Sequence, residues 1–326
     1  MLRSTSKSSA TTDPGPGFRS IDAGSGAALS VDVEEWYHNC WVPEYVDPAR
    51  RGHQVEELDR LLPALLERLD GLGARATFFV LGEVARRLPA EVRAIDGAGH
   101  EVACHGELHL RANERSLAEF RSDLTIAKAR LEDVVGREVA GFRAPEWSLR
   151  SAANPRTRIV VECGFRYDSS LAPSPGAGGS CNPRAAGLWT WSDGSTLLEL
   201  PPLVWAGPLR LPAGGWCGRS APLSCLRHAA AEAEARGELP LLVVHPWELV
   251  DRPCPGLMTG MARFFHEAGR IGYEARFDAL VRGLDLRQTL GERAAAMALV
   301  ELSAAGAGQP VSTDGGFGPR RAEAVS

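Results

Sequence analysis

No stretch of this 326-residue chain approaches the roughly 18 consecutive apolar residues of a spanning helix, so nothing in it reads as a transmembrane segment. There is no basic run either, and a formal net charge of -5 with a pI near 6.0 argues against a nucleic-acid surface. The 7 cysteines fall without a CxxC pair or regular spacing, which fits free thiols in a reducing compartment better than a disulfide framework. Met1 to Gly26 is rich in Ser, Thr, Gly and Pro and has no apolar core of a secretory signal, so the expected setting is cytoplasmic. No internal repeat is visible. What remains is ordinary for a soluble globular protein: 44% hydrophobic and 24% charged residues, with length for one large core or two smaller ones.

Residues 1–26 read as a disordered tail, and the Gly-, Ala- and Ser-rich stretch from about Ser303 to Ser326 reads the same way. Between the tails, short apolar runs alternate with helical periodicity. Ala28–Val33, Ala76–Leu81, Glu101–Cys104, Val139–Arg143, Phe165–Tyr167, Leu197–Leu200 and Leu241–Val244 read as strands. Leucines at 58, 61, 62, 65, 66 and 69 mark a helix, and Ser116 with Glu119 opens another that Gly136 closes. Apolar strands alternating with helices predict a parallel sheet covered on both faces. About seven units in one domain favour a closed or nearly closed α/β barrel over residues 27–290, followed by a helical end and the tail over 291–326. In a barrel, chemistry gathers at the C-terminal ends of the strands.

Five polar clusters fall at such ends. Asp32 and Glu34 lie two apart on an extended segment and can share a face, one suited to a metal and one to a base; Glu35 would point away. His105 and His109 are spaced to clasp one divalent ion, with Gly106 allowing a bend between them. Arg143 at a buried strand end calls for a carboxylate, and Asp32 is the candidate. Pro145 stiffens the next loop and leaves the Glu146 N–H as a possible oxyanion donor. His245 could donate a proton near neutral pH, with Asp168 as a candidate orienting partner. Trp36, Trp147 and Trp247 lie close enough to these clusters to stack on sugar rings. Alone, each cluster also has a plain structural reading; together they suit metal-assisted hydrolysis of an amide or ester.

With those residues in view, the chain resembles the polysaccharide deacetylase superfamily of chitin and peptidoglycan deacetylases. The resemblance runs over about residues 27–285 and rests on ordered motifs: Ser30–Trp36, Ala76–Gly82, Gly99–Glu101, Gly141–Pro145, Tyr167–Ser170 and His245–Glu248. Within the superfamily they resemble the branch associated with exosortase-type exopolysaccharide gene clusters. The resemblance implies a distorted (β/α)7 barrel that binds zinc or a similar divalent ion and removes N-acetyl groups from amino sugars. By position it implies Asp32 as base, His105 and His109 as metal ligands, Arg143 as the group holding the base and His245 as general acid. The usual pair of adjacent aspartates is here interrupted by Val33, so Glu34 is the expected third ligand and Glu35 the reserve. Glu146, Trp147, Asp168 and Trp247 are the expected substrate-facing groups.

The function expected is therefore metal-dependent N-deacetylation of a polysaccharide, with an N-acetylated glycan as partner and an association with membrane-linked glycan machinery left open. Two rivals use the same residues: a metal-dependent C–N hydrolase of a small amide, and a barrel that binds glycan without turning it over.

Overall fold

The computed structural model describes residues 16–38, 56–176, 179, 181–205, 210–250 and 260–307, with 300–307 by backbone alone. Nine strands form one sheet: β1 (Gly17–Ser20), β2 (Ala28–Val33), β3 (Thr77–Val80), β4 (Glu101–Cys104), β5 (Gly141–Phe142), β6 (Tyr167–Asp168), β7 (Gly187–Thr190), β8 (Thr196–Glu199) and β9 (Leu241–Val244). Their order is β1-β7-β8-β6-β5-β4-β3-β2-β9. From β9 through β2 to β6 and β8, all pairings are parallel, giving seven parallel strands. The seam between β8 and β9 is bridged beyond the strand proper, where the Leu203 N–H donates to the Leu241 carbonyl at 2.9 Å. Pro201 and Pro202, which have no N–H, interrupt the ladder there. The result is the expected distorted (β/α)7 barrel.

The alternation of side chains along each strand explains the two sides of this wall. In β2, Leu29, Val31 and Val33 join Phe78, Val80, Val102, Cys104 and Phe142 in the layer beneath the helices. The alternate residues turn inward, where Ala28 packs with Phe79, Ala103, Tyr167, Leu198 and Leu241. Small residues are needed inside: a Cβ on Gly141 would stand 2.1 Å from the Tyr167 ring. At the amino end of the strands the interior closes on buried Glu101, which accepts from Thr77 Oγ1 (2.7 Å), Tyr167 Oη (2.9 Å) and the Gly291 N–H (2.7 Å). That carboxylate is fully engaged and ties the last helix, Leu290–Ala307, to the barrel floor.

The helices follow their sequence signals. In Leu58–Gly71 one face buries Leu58, Leu61, Leu62, Leu65 and Leu69. Leu117–Val135 starts from a Ser116–Glu119 capping box and stops at Gly136 in the left-handed conformation. Three expectations need correction. Residues 17–20, assigned to the tail, form β1, which pairs antiparallel with β7 through Phe18 against Trp189. An exposed edge strand buries no regular face, so it leaves no periodic trace in the sequence. The expected strand Val139–Arg143 shrinks to Gly141–Phe142, and the final helix runs on to Ala307 rather than ending near Ser303. Residues 21–26, also assigned to the tail, are held to the barrel, the Ile21 N–H donating to the Ala186 carbonyl at 2.8 Å, whereas 1–15 and 308–326 lie outside the described residues. Among the described residues no helix is long and apolar enough to cross a membrane, and Cys104, Cys163, Cys181, Cys217 and Cys225 are unpaired.

Candidate active site

Four strand ends, those of β2, β4, β5 and β9, deliver their side chains into one cavity of about 390 Å³ at the carboxyl end of the barrel. Asp32, Glu34, His105, His109, Arg143, Glu146, Trp147, His245 and Trp247 all line it. Asp32 is on the inward face of β2; one residue past the strand the backbone turns, the Glu34 N–H donating to the Asp32 carbonyl at 3.1 Å. His105 leaves the top of β4, and Gly106 (φ 83) and His109 (φ 56) curl the chain back so that both imidazoles face Glu34.

One ligand atom each from Glu34, His105 and His109 lies within 4.8 Å of the other two, and all three residues are buried. His105 Nδ1 is 2.8 Å from the Arg143 carbonyl. A carbonyl only accepts, so Nδ1 carries the hydrogen and Nε2 keeps its lone pair for the cavity. Burial holds the His105 pKa down to about 4, so this ring is neutral, the form a metal requires. Glu34 Oε2 stands 2.5 Å from His109 Nε2, yet it is buried and receives no well-aligned hydrogen bond. Burial pushes the Glu34 carboxyl above its usual range, with the neighbouring imidazoles pulling the other way. Two imidazoles and an unsatisfied carboxylate oxygen are a donor set that fits a divalent cation such as zinc.

Beside this cluster, Arg143 Nη1 reaches Asp32 Oδ1 at 2.6 Å and Ser30 Oγ at 2.8 Å, while Nη2 donates to Ser169 Oγ at 2.9 Å. Its guanidinium lies 4.1 Å from the centre of the Phe79 ring, so its face is covered as well as its edges. Burial would raise the Asp32 carboxyl, but Arg143, His105 and His245 outweigh it and hold the group below the ordinary carboxylate range. Asp32 is therefore ionised, with Oδ1 bound to Arg143 and Oδ2 turned towards His245 Nε2 at 3.9 Å.

His245 follows β9. Its Nε2 is 3.6 Å from Glu34 Oε1, and its Nδ1 is 3.2 Å from Glu248 Oε2. Glu248 also accepts from the His245 N–H at 2.9 Å and forms a buried ion pair with Arg219. Burial lowers the His245 pKa, and the carboxylates of Glu34 and Asp32 act against that. The carboxylate beside His245 Nδ1 is thus Glu248, not Asp168. The signal was present in the His245–Glu248 motif, three residues on.

Four expectations are corrected by position. Asp168 lies outside the cavity: it sits opposite Glu199 in the β6–β8 ladder and accepts from Ser170 Oγ at 2.5 Å. Ser170 in turn accepts the Ala144 N–H at 2.7 Å, so Asp168 supports the loop after Arg143 from below. Glu35, the reserve ligand, accepts from the N–H groups of Glu57 and Leu58 and from Arg87 at 2.6 Å, capping a helix away from the metal cluster. Trp36 is buried, and Trp247 is sandwiched between His245 and His266, its ring centroid 4.1 Å from the latter. Trp247 offers no open face for a sugar; its indole N–H points at Glu34 Oε1, 3.4 Å away, and braces that carboxylate. Glu146 and Trp147 do face the cavity, both in left-handed backbone at φ 51 and 50, with Glu146 fixed by Arg111 at 2.6 Å. Sequence reasoning also passed over His38, His266 and Trp216, which line the cavity and sit in no strand-end motif.

Comparison with known proteins finds relatives for parts of the chain and for its fold. The pattern for polysaccharide deacetylases matches residues 56–167, and a pattern described as a domain of unknown function, DUF3473, matches residues 169–289. Asp32 and Glu34 precede the first span and His245 falls in the second, so the cavity draws on both and on the chain before them. The peptidoglycan deacetylase of Helicobacter pylori is 27% identical over 147 residues, 44% of this chain and 48% of that protein. A peptidoglycan deacetylase-like protein of Gibberella zeae is 29% identical over 110 residues, 33% of this chain and 32% of that one. The chain thus spans about half the length of the first relative and a third of the second. Among solved structures, one from Mycobacterium smegmatis assigned as a polysaccharide deacetylase has a TM-score of 0.58 at 22% identity, covering 89% of this chain and 96% of that one. Puue allantoinase has a TM-score of 0.54 at 16% identity, covering 82% and 88%. These two likenesses are of fold.

Proposed function

We propose that this chain, whose residues 56–167 match the pattern for polysaccharide deacetylases, is a metal-dependent hydrolase removing N-acetyl groups from the amino sugars of a polysaccharide, with an exopolysaccharide as substrate, zinc as cation and the cytoplasm as setting. The observation that carries the reading is the convergence of the Glu34–His105–His109 cluster, the Asp32–Arg143 pair and His245 on one cavity. That two relatives are named as a peptidoglycan deacetylase and a peptidoglycan deacetylase-like protein supports the substrate class.

A divalent cation held by Glu34, His105 and His109 would polarise the acetamido carbonyl and acidify water beside it. Asp32 then has a defined role. Arg143 occupies Oδ1 and keeps the carboxylate ionised, leaving Oδ2 to take a proton from the attacking water. The Glu146 N–H, on a loop fixed by Arg111, is the candidate donor to the developing oxyanion. His245 Nε2, between the Asp32 and Glu34 carboxylates, is placed to pass a proton to the departing amine while Glu248 faces its Nδ1.

The direct test is acetate release from defined N-acetylhexosamine oligomers, with and without chelator, alongside metal content of the purified protein. We expect release that chelation stops, and loss of both metal and release in His105→Ala. Normal metal stoichiometry in that variant refutes the ligand assignment. Turnover of small amides with no release from any oligomer would favour the C–N hydrolase alternative.

A further inference from the structure

Residues 169–289, the span of unassigned function, do more than close the barrel. They supply Leu211, Trp216, Cys217 and Phe265 to the wall of the catalytic cavity. Leu211, Trp216 and Cys217 also line a second, open groove of about 690 Å³. The two spaces therefore adjoin across these residues, with the Trp216 indole at the divide.

We propose that this groove holds the sugar units next to the one being deacetylated, and that Trp216 sets the preference for a polymer over a short substrate. The inference rests on the deacetylase reading above. Among the described residues Trp216 is one of seven large apolar side chains left exposed, at 37%. It is not loosely held. Phe265 packs against it with ring centroids 4.9 Å apart. Two residues earlier, Gly214 lies so close to β9 that a Cβ there would meet the Val243 carbonyl at 2.8 Å. Val243 is two residues before His245, so the indole is pinned to the strand that delivers the proposed acid.

The groove's chemistry suits a pyranose. Trp205 and Trp216 provide apolar faces for the C–H side of a ring, while Ser220, Ser224, His228 and Glu232 provide hydrogen-bonding groups for its hydroxyl edge. On this proposal the segment of unassigned function reads the length of the glycan.

The experiment compares kcat/KM for acetate release from N-acetylhexosamine dimers and hexamers, using the full chain loaded with zinc. The wild-type chain should favour the hexamer. Trp216→Ala should cut the hexamer-to-dimer ratio about tenfold through KM, the factor that 1.4 kcal/mol of lost contact represents. Trp216→Phe, which keeps an aromatic face, should retain most of the ratio. Ser224→Trp, filling the groove from outside the catalytic cavity, should lower it. Release with no dependence on length, or equal loss for both substrates in Trp216→Ala, overturns the groove alone. A preference for a prenyl-linked dimer over the free hexamer overturns it in favour of a lipid site. No release from either oligomer overturns both this inference and the deacetylase reading.

Discussion

The turns at the two ends of the sheet bend the chain through the same left-handed backbone, but only the carboxyl end does so mostly with residues other than glycine. At the amino end, where helices hand over to β4 and β5, the turns place Gly99 (φ 81) and Gly136 (φ 71). At the carboxyl end, the loops leaving β4 and β5 place, beside Gly106 (φ 83), His109 (φ 56), Glu146 (φ 51), Trp147 (φ 50) and Arg150 (φ 65) in that conformation. Among the described residues these are four of the five non-glycine residues with positive φ, the other being Arg210. Glycine adopts it freely, whereas a side chain there costs about 1–3 kcal/mol. One end of the barrel is built for stability; the other accepts strain in order to aim side chains into a cavity.

The most severe break in that comparison is at Asp32, where changes at the carboxyl end should show as chemistry. Asp32→Asn keeps the shape and a partner for Arg143 but removes the proton acceptor. Metal content should stay at the wild-type level while kcat falls by roughly 10²–10⁴-fold, the usual weight of a general base. A variant with normal turnover would exclude Asp32 from proton transfer.

Next comes the amino end, where changes should show as stability. At Gly136 no atom lies within 4 Å of an added Cβ, so Gly136→Ala meets only the backbone penalty. That penalty is about 1–2 kcal/mol, or a Tm lower by a few degrees in a chain of this size, with kcat per folded molecule unchanged. A loss of activity larger than the loss of folded protein would show that the two ends are not separable in this way.

How much of this division was visible in the sequence follows from where each residue spends its interactions. The buried parallel strands, the capped helix and the glycine turns carry local signals, because periodicity and backbone freedom are written in consecutive residues. His105, His109, Asp32, Arg143 and His245 could be nominated because each ends such a strand, although only the fold shows that they meet. Glu34 is preferred over Glu35 in the sequence only by the alternation of an extended segment, and the structure bears that preference out. The two are adjacent and chemically alike, and the difference is that Glu35 is met by the N–H groups of residues 57 and 58 and by Arg87, over twenty residues away in the chain. Asp168 misled because its partner Glu199 lies across the sheet. β1 and β7 bury no regular face and leave no pattern.

The amino end also carries a pH dependence that sharpens the contrast. His100, just before β4, accepts the Ala76 N–H at Nδ1 (3.2 Å) and is therefore neutral. Burial, assisted by Arg75, holds its pKa down to about 4 from the ordinary 6.5. Above pH 6.5 the ring is neutral in both folded and unfolded chains and contributes no slope. Between 6.5 and 4 the unfolded chain takes up a proton that the folded one refuses, so stability falls as pH falls. His100→Asn keeps an acceptor for Ala76 without titrating, and its Tm should decline less between pH 6.5 and 4 than that of the wild-type chain. Parallel declines would mean that His100 is not the group responsible.

The smallest effect is expected at Glu146, and it bears most directly on the strain. Glu146→Gly removes a side chain from left-handed backbone, which should recover about 1 kcal/mol. Against that, glycine loosens the unfolded chain by about 0.4–1 kcal/mol, and the partly exposed pair with Arg111 contributes little to stability. The two sides nearly cancel, so Tm should move by no more than a few degrees in either direction. Yet the loop loses its tether to Arg111, and kcat/KM for the N-acetylated oligomer should fall while the fold holds. The same exchange made in reverse at Gly136 costs stability and leaves turnover alone. If Glu146→Gly instead unfolds the protein as readily as a core substitution, the backbone there is not strained, and the loop after β5 belongs with the framework rather than with the site.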